Sequence, residues 1–317
     1  VTVQALDIRG LSKTYRSPIL RKPIRQALRN LTLSVSAGEI FSILGPNGSG
    51  KTTTLKILMG LIPPDAGEAE LLGFSFRSRE WRFRTGYLPE QPYFYDYLTP
   101  AEYLDYVGRL LGLPGAVRRE RAEALLERLG LARARDVALR RCSKGMLQRL
   151  GLAQALVNDP DLVILDEPMS GLDPLGRRLV RNLVLDLKQA GKTVFFSTHI
   201  LSDAEAVADR VGLMRSGELV QVGRLDDILR LDVAHLEVLV SGGPGVAVDT
   251  PGVRALTQVG ERWRLEVEEG SLVEVLGKVG SGGGRVLGVQ PVKQSLEDYF
   301  FRQMGEPEAT RAWELEA

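Results

Sequence analysis

The eight residues Gly45-Pro46-Asn47-Gly48-Ser49-Gly50-Lys51-Thr52 constrain this chain more than any other stretch, because they fit the pattern G-x-x-x-x-G-K-[ST]. Context adds to the pattern. The apolar run Ile40 to Leu44 before it reads as a buried strand, and Thr52 to Leu58 after it reads as the start of a helix. Glycines at 45, 48 and 50 let the backbone curl so that successive N–H groups point inward, toward the positive end of the new helix. Such a turn binds anions. Lys51 can reach the β- and γ-phosphates of a nucleotide, the Thr52 hydroxyl is a hard oxygen suited to Mg²⁺, and Asn47, Ser49 and Thr53 complete the stretch that would face the phosphates.

Composition narrows the setting. A chain of 317 residues is long enough for two domains, and 41 basic against 40 acidic residues leave no global electrostatic footprint for nucleic acid. The single cysteine, Cys142, excludes an intrachain disulfide, and the lack of a signal-like apolar segment near Val1 points to a reducing, cytosolic compartment. Uncharged stretches stop short of the ~20 residues a spanning helix requires, so a membrane role is expected to come through a partner.

Along the chain, Val3 to Arg9 and Leu31 to Val35 read as half-exposed strands. The basic, proline-marked insert Ser17 to Gln26 lies between them and reads as a solvated hairpin or as a contact for acidic lipid headgroups or an acidic partner. Thr99-Pro100-Ala101-Glu102 has the shape of a capping box, and Ala116 to Leu129 carries helical spacing, which predicts a helical insertion at about 96–150. Leu162 to Glu167 is an apolar strand ending in two acids; a helix over Leu175 to Gln189 follows, then a strand over Thr193 to Ser197 and the pair Thr198-His199. The alternation predicts an α/β fold with a parallel, doubly wound sheet and its ligand at the carboxyl ends of the strands. From about Gly223 the texture becomes a small α+β appendage, with strands at 236–240, 262–267 and 286–292, helices at 271–279 and 295–304, and an acidic tail around Trp313.

Three further pieces join the loop in chain order: the Glu90-Gln91 turn, the run Cys142-Ser143-Lys144-Gly145-Met146-Leu147-Gln148-Arg149 opening a helix, and the pair Asp166-Glu167, followed by Ser170-Gly171-Leu172-Asp173 and His199. That order resembles the ATP-binding cassette proteins over about the first 220 residues. The signature form, together with Leu296 to Phe300, resembles the subfamily whose ATPase subunit serves a separate permease, often for export of drugs, lipids or polysaccharides. The resemblance implies a P-loop NTPase core of the RecA-like kind over 1–222 with a helical subdomain inserted, and an accessory domain over 223–317.

The resemblance also implies roles. Tyr15 would stack on adenine. Asp166 would hold the Mg²⁺ shell with Thr52, and Glu167 would accept a proton from the attacking water or orient it. His199 would contact the γ-phosphate, and Asp173 would couple two sites across a dimer. Ser143 and Gly145 would grip the γ-phosphate bound to the opposite subunit, so that ATP is shared between two copies, or between this chain and a paired second cassette, and a single chain is a poor ATPase. Either Glu90 or Gln91 would reach the metal. Met146 and Lys144 depart from the family's usual glutamine and glycine, and the insert after Tyr15 is long for the family.

The leading expectation is an ATPase motor for transport that sits on the cytoplasmic face of the cell membrane through an integral permease, with no nucleic acid bound. The aromatic cluster around Glu90 (Trp81, Tyr93, Phe94, Tyr95 and Tyr97) reads either as packing against the helical insertion or as a groove for a short permease helix. A cassette acting on nucleic acid or the ribosome is the second reading, weakened by near-neutral charge and by the lack of long inserts or a second cassette. A GTP-binding switch is third, and no Asn-Lys-x-Asp motif is present to read guanine. The appendage could regulate, support dimerisation or brace the cassette, and its separate composition and its position after the last cassette strand favour a dimer-supporting role.

Overall fold

The computed structural model describes residues 3–16, 23–225, 227, 233–242 and 250–293. The chain divides into two compact units, Val1–Leu225 and Asp226–Ala317.

The first unit is built on a six-stranded sheet of β3 (Ile40–Leu44), β6 (Thr85–Leu88), β7 (Leu162–Asp166), β8 (Thr193–Thr198), β9 (Arg210–Arg215) and β10 (Glu218–Arg224), in the order β10-β9-β3-β8-β7-β6. All neighbours pair in parallel except β10, which runs antiparallel along one edge. Every residue of β3, β7 and β8 is buried, as expected of parallel strands covered on both faces, which is why they read as unbroken apolar runs. The carboxyl ends of β3, β7 and β8 lie side by side, with Leu44 opposite Thr198 and Asp166 opposite Ser197. That register gathers the phosphate loop, the acid pair and His199 at one edge of the sheet.

A second sheet is antiparallel, in the order β2-β1-β4-β5, from β1 (Gln4–Arg16), β2 (Pro23–Ser36), β4 (Ala66–Leu71) and β5 (Phe74–Ser75). Both long strands exceed the predicted spans: Tyr15 sits on β1, and residues 23–26 of the basic insert belong to β2, whereas residues 17–22 lie outside the described residues. Repeated register shifts between β1 and β2 broke the simple alternation that would have marked their true length. Leu6, Ile8, Leu11, Leu28, Leu31 and Val35 from this sheet close over Phe41, Ile43, Leu55 and Phe195, forming one core with the parallel sheet.

The helical insertion comprises α2 (Pro100–Leu110), α3 (Gly115–Arg128) and α4 (Lys144–Leu156), with 3₁₀ turns at Ala132–Ala134 and Leu139–Arg141; α1 (Lys51–Leu58) follows the phosphate loop. The capping box at Thr99 forms: its hydroxyl accepts the Glu102 N–H at 3.3 Å, and the Glu102 carboxylate accepts the Thr99 N–H at 2.9 Å, worth about 1 kcal/mol. Asp105 pins α2 to α3 by accepting from Arg118 at 2.7 Å, alongside Arg109 of its own helix at 2.7 Å, and the Tyr103 hydroxyl donates to Gln154 on α4 at 2.7 Å. Two more helices complete the unit, α5 (Pro174–Gln189) and α6 (Leu201–Glu205). Asp203 of α6, 1 % exposed, pairs with Arg181 of α5 at 2.7 Å.

The second unit is an antiparallel sheet, β12-β13-β11-β14, made by β11 (Val233–Ser241), β12 (Val253–Val259), β13 (Arg262–Val267) and β14 (Arg285–Lys293), with α7 (Leu272–Ser281). Val238, Val240, Leu265 and Val267 meet Val275 and Val279 of the helix in a small separate core. Strand β12 was not anticipated: it is an edge strand with no buried residue, and its sequence VRALTQV does not alternate cleanly. The predicted helix at 295–304 and the tail around Trp313 lie outside the described residues. No helix among the described residues is long and apolar enough to cross a membrane.

Candidate functional site

The phosphate loop leaves β3 at Leu44 and enters α1 at Lys51. Only glycine fits at Gly45, where a Cβ would stand 2.4 Å from the Met214 carbonyl oxygen, and at Gly50, where φ is 116° and a Cβ would stand 2.6 Å from the Ala27 carbonyl oxygen. Gly50 is the N-cap of α1 and offers no side chain to it, so the first N–H groups of the helix have no side-chain cap. Lys51 is 5 % exposed. Its Nζ donates to the Gly45 carbonyl at 2.6 Å and lies 3.6 Å from Glu167 Oε1. Burial lowers the lysine pKa, opposed by the nearby carboxylates of Glu167 and Asp166.

Asp166 ends β7 and is fully buried. Its Oδ1 accepts from the Ser197 hydroxyl at 2.5 Å and from the Thr52 hydroxyl at 3.3 Å, while Oδ2 has no partner. Burial raises its pKa, and the two hydroxyl donors oppose that rise. Glu167 takes a left-handed backbone, φ 49°, a conformation that non-glycine residues hold only when their surroundings enforce it. Its N–H donates to the Ser197 hydroxyl at 3.1 Å, and Gln148 of α4 donates to the Glu167 and Pro168 carbonyls, both at 3.3 Å. His199 Nδ1 lies 3.0 Å from Glu167 Oε2, and that carboxylate raises the histidine pKa above its ordinary value.

Of these groups Lys51, Glu167 and His199 face an open cleft of about 500 Å³, whereas the buried Asp166 is not among its lining residues. Asn47, Gly48, Gly50, Lys51, Thr52 and Thr53 line it from the loop and α1, and Glu90, Glu167 and His199 line it as well. Tyr15 also lines it, with its hydroxyl 3.4 Å from the Thr53 hydroxyl. Of the two candidates on the turn after β6, Glu90 reaches the cleft; Gln91 is exposed on the same turn and is not among its lining residues. Gly45 and Ser49 also do not line it.

Ser143 and Gly145 line no part of this cleft. Ser143 is exposed and caps α4, accepting the Met146 N–H at 3.3 Å. Asp173 caps α5 by accepting the Gly176 N–H at 2.7 Å. The aromatic cluster divides: Trp81 and Phe94 are buried, Phe94 packing edge-on to Tyr103, whereas Tyr93, Tyr95 and Tyr97 are exposed at 86 %, 42 % and 64 %. Sequence reading quoted Gln148 and Ser170 within motifs and Arg25 within the basic insert without giving them a place at the site, and it passed over Ser197 and Ala27. Ser197 had a local signal, as the hydroxyl next to Thr198-His199 at a strand end.

The donor set suits a hard cation that arrives with its substrate. The unpartnered buried Oδ2 of Asp166 and the Thr52 hydroxyl supply two hard oxygens, and no group of three or more His, Cys, Asp or Glu among the described residues could hold a metal ion. A cation here must take its remaining ligands from water and from phosphate oxygens.

A family model described as ABC transporter matches residues 28–170. The chain is 44 % identical to an uncharacterized ABC transporter ATP-binding protein of Synechocystis sp., covering 93 % of this chain and 83 % of that one. It is 33 % identical to the bacitracin transport ATP-binding protein BcrA of Bacillus licheniformis over 93 % of this chain and 95 % of that one. With the Nod factor export ATP-binding protein I of Ralstonia nicotianae it shares 35 % identity over 79 % and 75 % of the two chains. Among solved structures, the ATP-binding subunit of an ABC transporter superposes with a TM-score of 0.64 at 32 % identity, covering 71 % of this chain and 92 % of that one. A dimeric cassette in a post-hydrolysis state with ADP and Pi also gives 0.64, at 28 % identity and coverages of 69 % and 98 %.

Proposed function

This chain belongs to the ABC transporter ATP-binding proteins, and from that premise we propose that its cleft is one half of a composite ATPase site completed by a second copy. The protein is an ATP-binding subunit and an ATPase, and homologous cassettes form dimers. Residues 1–222 are read as the ATPase domain, with residues 223–317 as an accessory domain.

The observation that carries the reading is the contact between His199 and Glu167 beside the buried Lys51. Tyr15 stacks on adenine. The uncapped N-terminus of α1 and the loop residues Gly45, Asn47, Gly48, Ser49 and Gly50 hold the phosphates, helped by Thr53 and by Lys51, which exchanges the Gly45 carbonyl for phosphate oxygens. Thr52 and Asp166, with Glu90 nearby, hold Mg²⁺, which neutralises charge on the β- and γ-phosphates when bound. Glu167 takes the proton of the attacking water or orients it, and His199 presents its N–H to the γ-phosphate side. Ser197 sets this geometry by holding both the Asp166 carboxylate and the Glu167 backbone.

The γ-phosphate of one chain meets Ser143 and Gly145 of the other at the N-terminus of α4, and Asp173 couples the two sites. Closing and opening are passed to a separate integral permease. Export is the direction that the named relatives suggest, and the protein then lies on the cytoplasmic face of the membrane. The permease docks at the exposed Tyr93, Tyr95 and Tyr97 beside Glu90. Phe94 braces the helical region from inside.

Glu167→Gln tests the assignment. The variant should bind ATP, accumulate as a closed dimer in sedimentation, and lose turnover by about 10² or more, the usual worth of a general base. Hydrolysis at the wild-type rate would overturn it.

A further inference from the structure

Arg25, which the sequence reading placed in the basic insert and not at the nucleotide, is a charged residue lining the cleft, and its placement is specific. It lies on β2 directly opposite Tyr15 of β1. Opposed residues of an antiparallel pair present their side chains on one face of the sheet, and both line the ATP cleft. From there the guanidinium reaches the phosphate loop and donates from Nη2 to the Gly48 carbonyl oxygen. It lies so close that a Cβ on Gly48 would stand 2.5 Å from Nη2. Among the described residues no carboxylate forms a salt bridge with Arg25.

We propose that Arg25 is a further nucleotide-binding residue of this ATPase, a cation that releases the Gly48 carbonyl and engages the phosphates of the bound nucleotide. The chemistry favours the exchange. The carbonyl is a neutral acceptor, whereas a polyphosphate offers anionic oxygens to a planar fork of donors, and charge-assisted hydrogen bonds are about twice as strong as neutral ones. Tyr15 then grips the base while its strand partner grips the phosphates, so the β1–β2 hairpin closes on both ends of the ligand.

The inference rests on the cleft being the ATP site, and the experiment separates the two. Binding of ATP and ADP is measured by calorimetry for wild type, Arg25→Gln and Arg25→Lys, with adenosine affinity taken from competition and folding checked by thermal melting. Arg25→Gln should weaken ATP and ADP about tenfold, the loss of one charge-assisted contact, and leave adenosine unchanged. Arg25→Lys, which keeps the charge and loses the fork, should recover part of the loss. Unchanged ATP and ADP affinities in Arg25→Gln would overturn the proposal. So would an equal loss for adenosine, which would mean that Arg25 only supports the strand carrying Tyr15. A wild-type chain that binds none of these ligands would instead overturn the reading of the cleft itself.

Discussion

Two helix N-termini in the cassette follow short polar turns, yet they are finished in opposite ways. Helix α1 begins after Gly50, which gives it no side-chain cap, and its first residue, Lys51, is buried beside Glu167. Helix α4 begins after Ser143, whose exposed hydroxyl already caps the helix through the Met146 N–H. An uncapped helix end that opens on a cleft beside a buried lysine leaves N–H groups that an anion can take. A capped, exposed end is stable alone and is free to meet a ligand held elsewhere. On the proposed reading, the first end belongs to the nucleotide receptor of one copy and the second to a surface that meets another copy's nucleotide.

Substitutions at the two ends should behave differently. Lys51→Ala removes a buried cation from the receptor, and ATP affinity should fall on the order of a hundredfold, as expected for a charge-assisted contact of about 3 kcal/mol; calorimetry on the single chain reads it directly. Ser143→Asp keeps the helix cap, since aspartate caps as well as serine, but sets a carboxylate where the proposed composite site puts the second copy's γ-phosphate. It should leave ATP affinity of the single chain within about twofold while turnover falls by about tenfold or more. A loss of binding in the single chain would break the contrast.

The smallest effect concerns His199. Glu167 raises its pKa, so the folded protein holds that proton more tightly than the unfolded chain. The pair then contributes stability that is fully present below the unfolded value of about 6.5 and is lost as pH rises through the raised folded value. The chain has two histidines, His199 and His235, so the His199 signal is readily assigned in a nuclear magnetic resonance spectrum. The His199 midpoint should lie above 6.5 and fall in Glu167→Gln; an unchanged midpoint would detach the two residues.

The same contrast explains what could be read beforehand. The loop, the acid pair and His199 were legible because parallel strands buried on both faces leave unbroken apolar runs, and such strands deliver ligand groups at their carboxyl ends. The pairing of Tyr15 with Arg25 was not, because register shifts hid the length of β1 and β2 and so hid which residues stand opposite each other. Ser197 was hidden for another reason: its hydroxyl matters only once β7 and β8 align Asp166 beside it. Phe94 and Tyr95 are neighbours with alike aromatic side chains, and only tertiary packing against Tyr103 separates the brace from the exposed ring.

The central claim, that each site is shared between two copies, is tested most directly by mixing two crippled chains. Lys51→Ala has a defective receptor and an intact signature surface; Ser143→Asp has the reverse. Each alone should show little ATPase activity. Mixed in equal amounts, they should regain a substantial part of wild-type turnover, because one site in each mixed dimer pairs an intact loop with an intact Ser143. Activity that stays at the sum of the two separate chains would contradict the account.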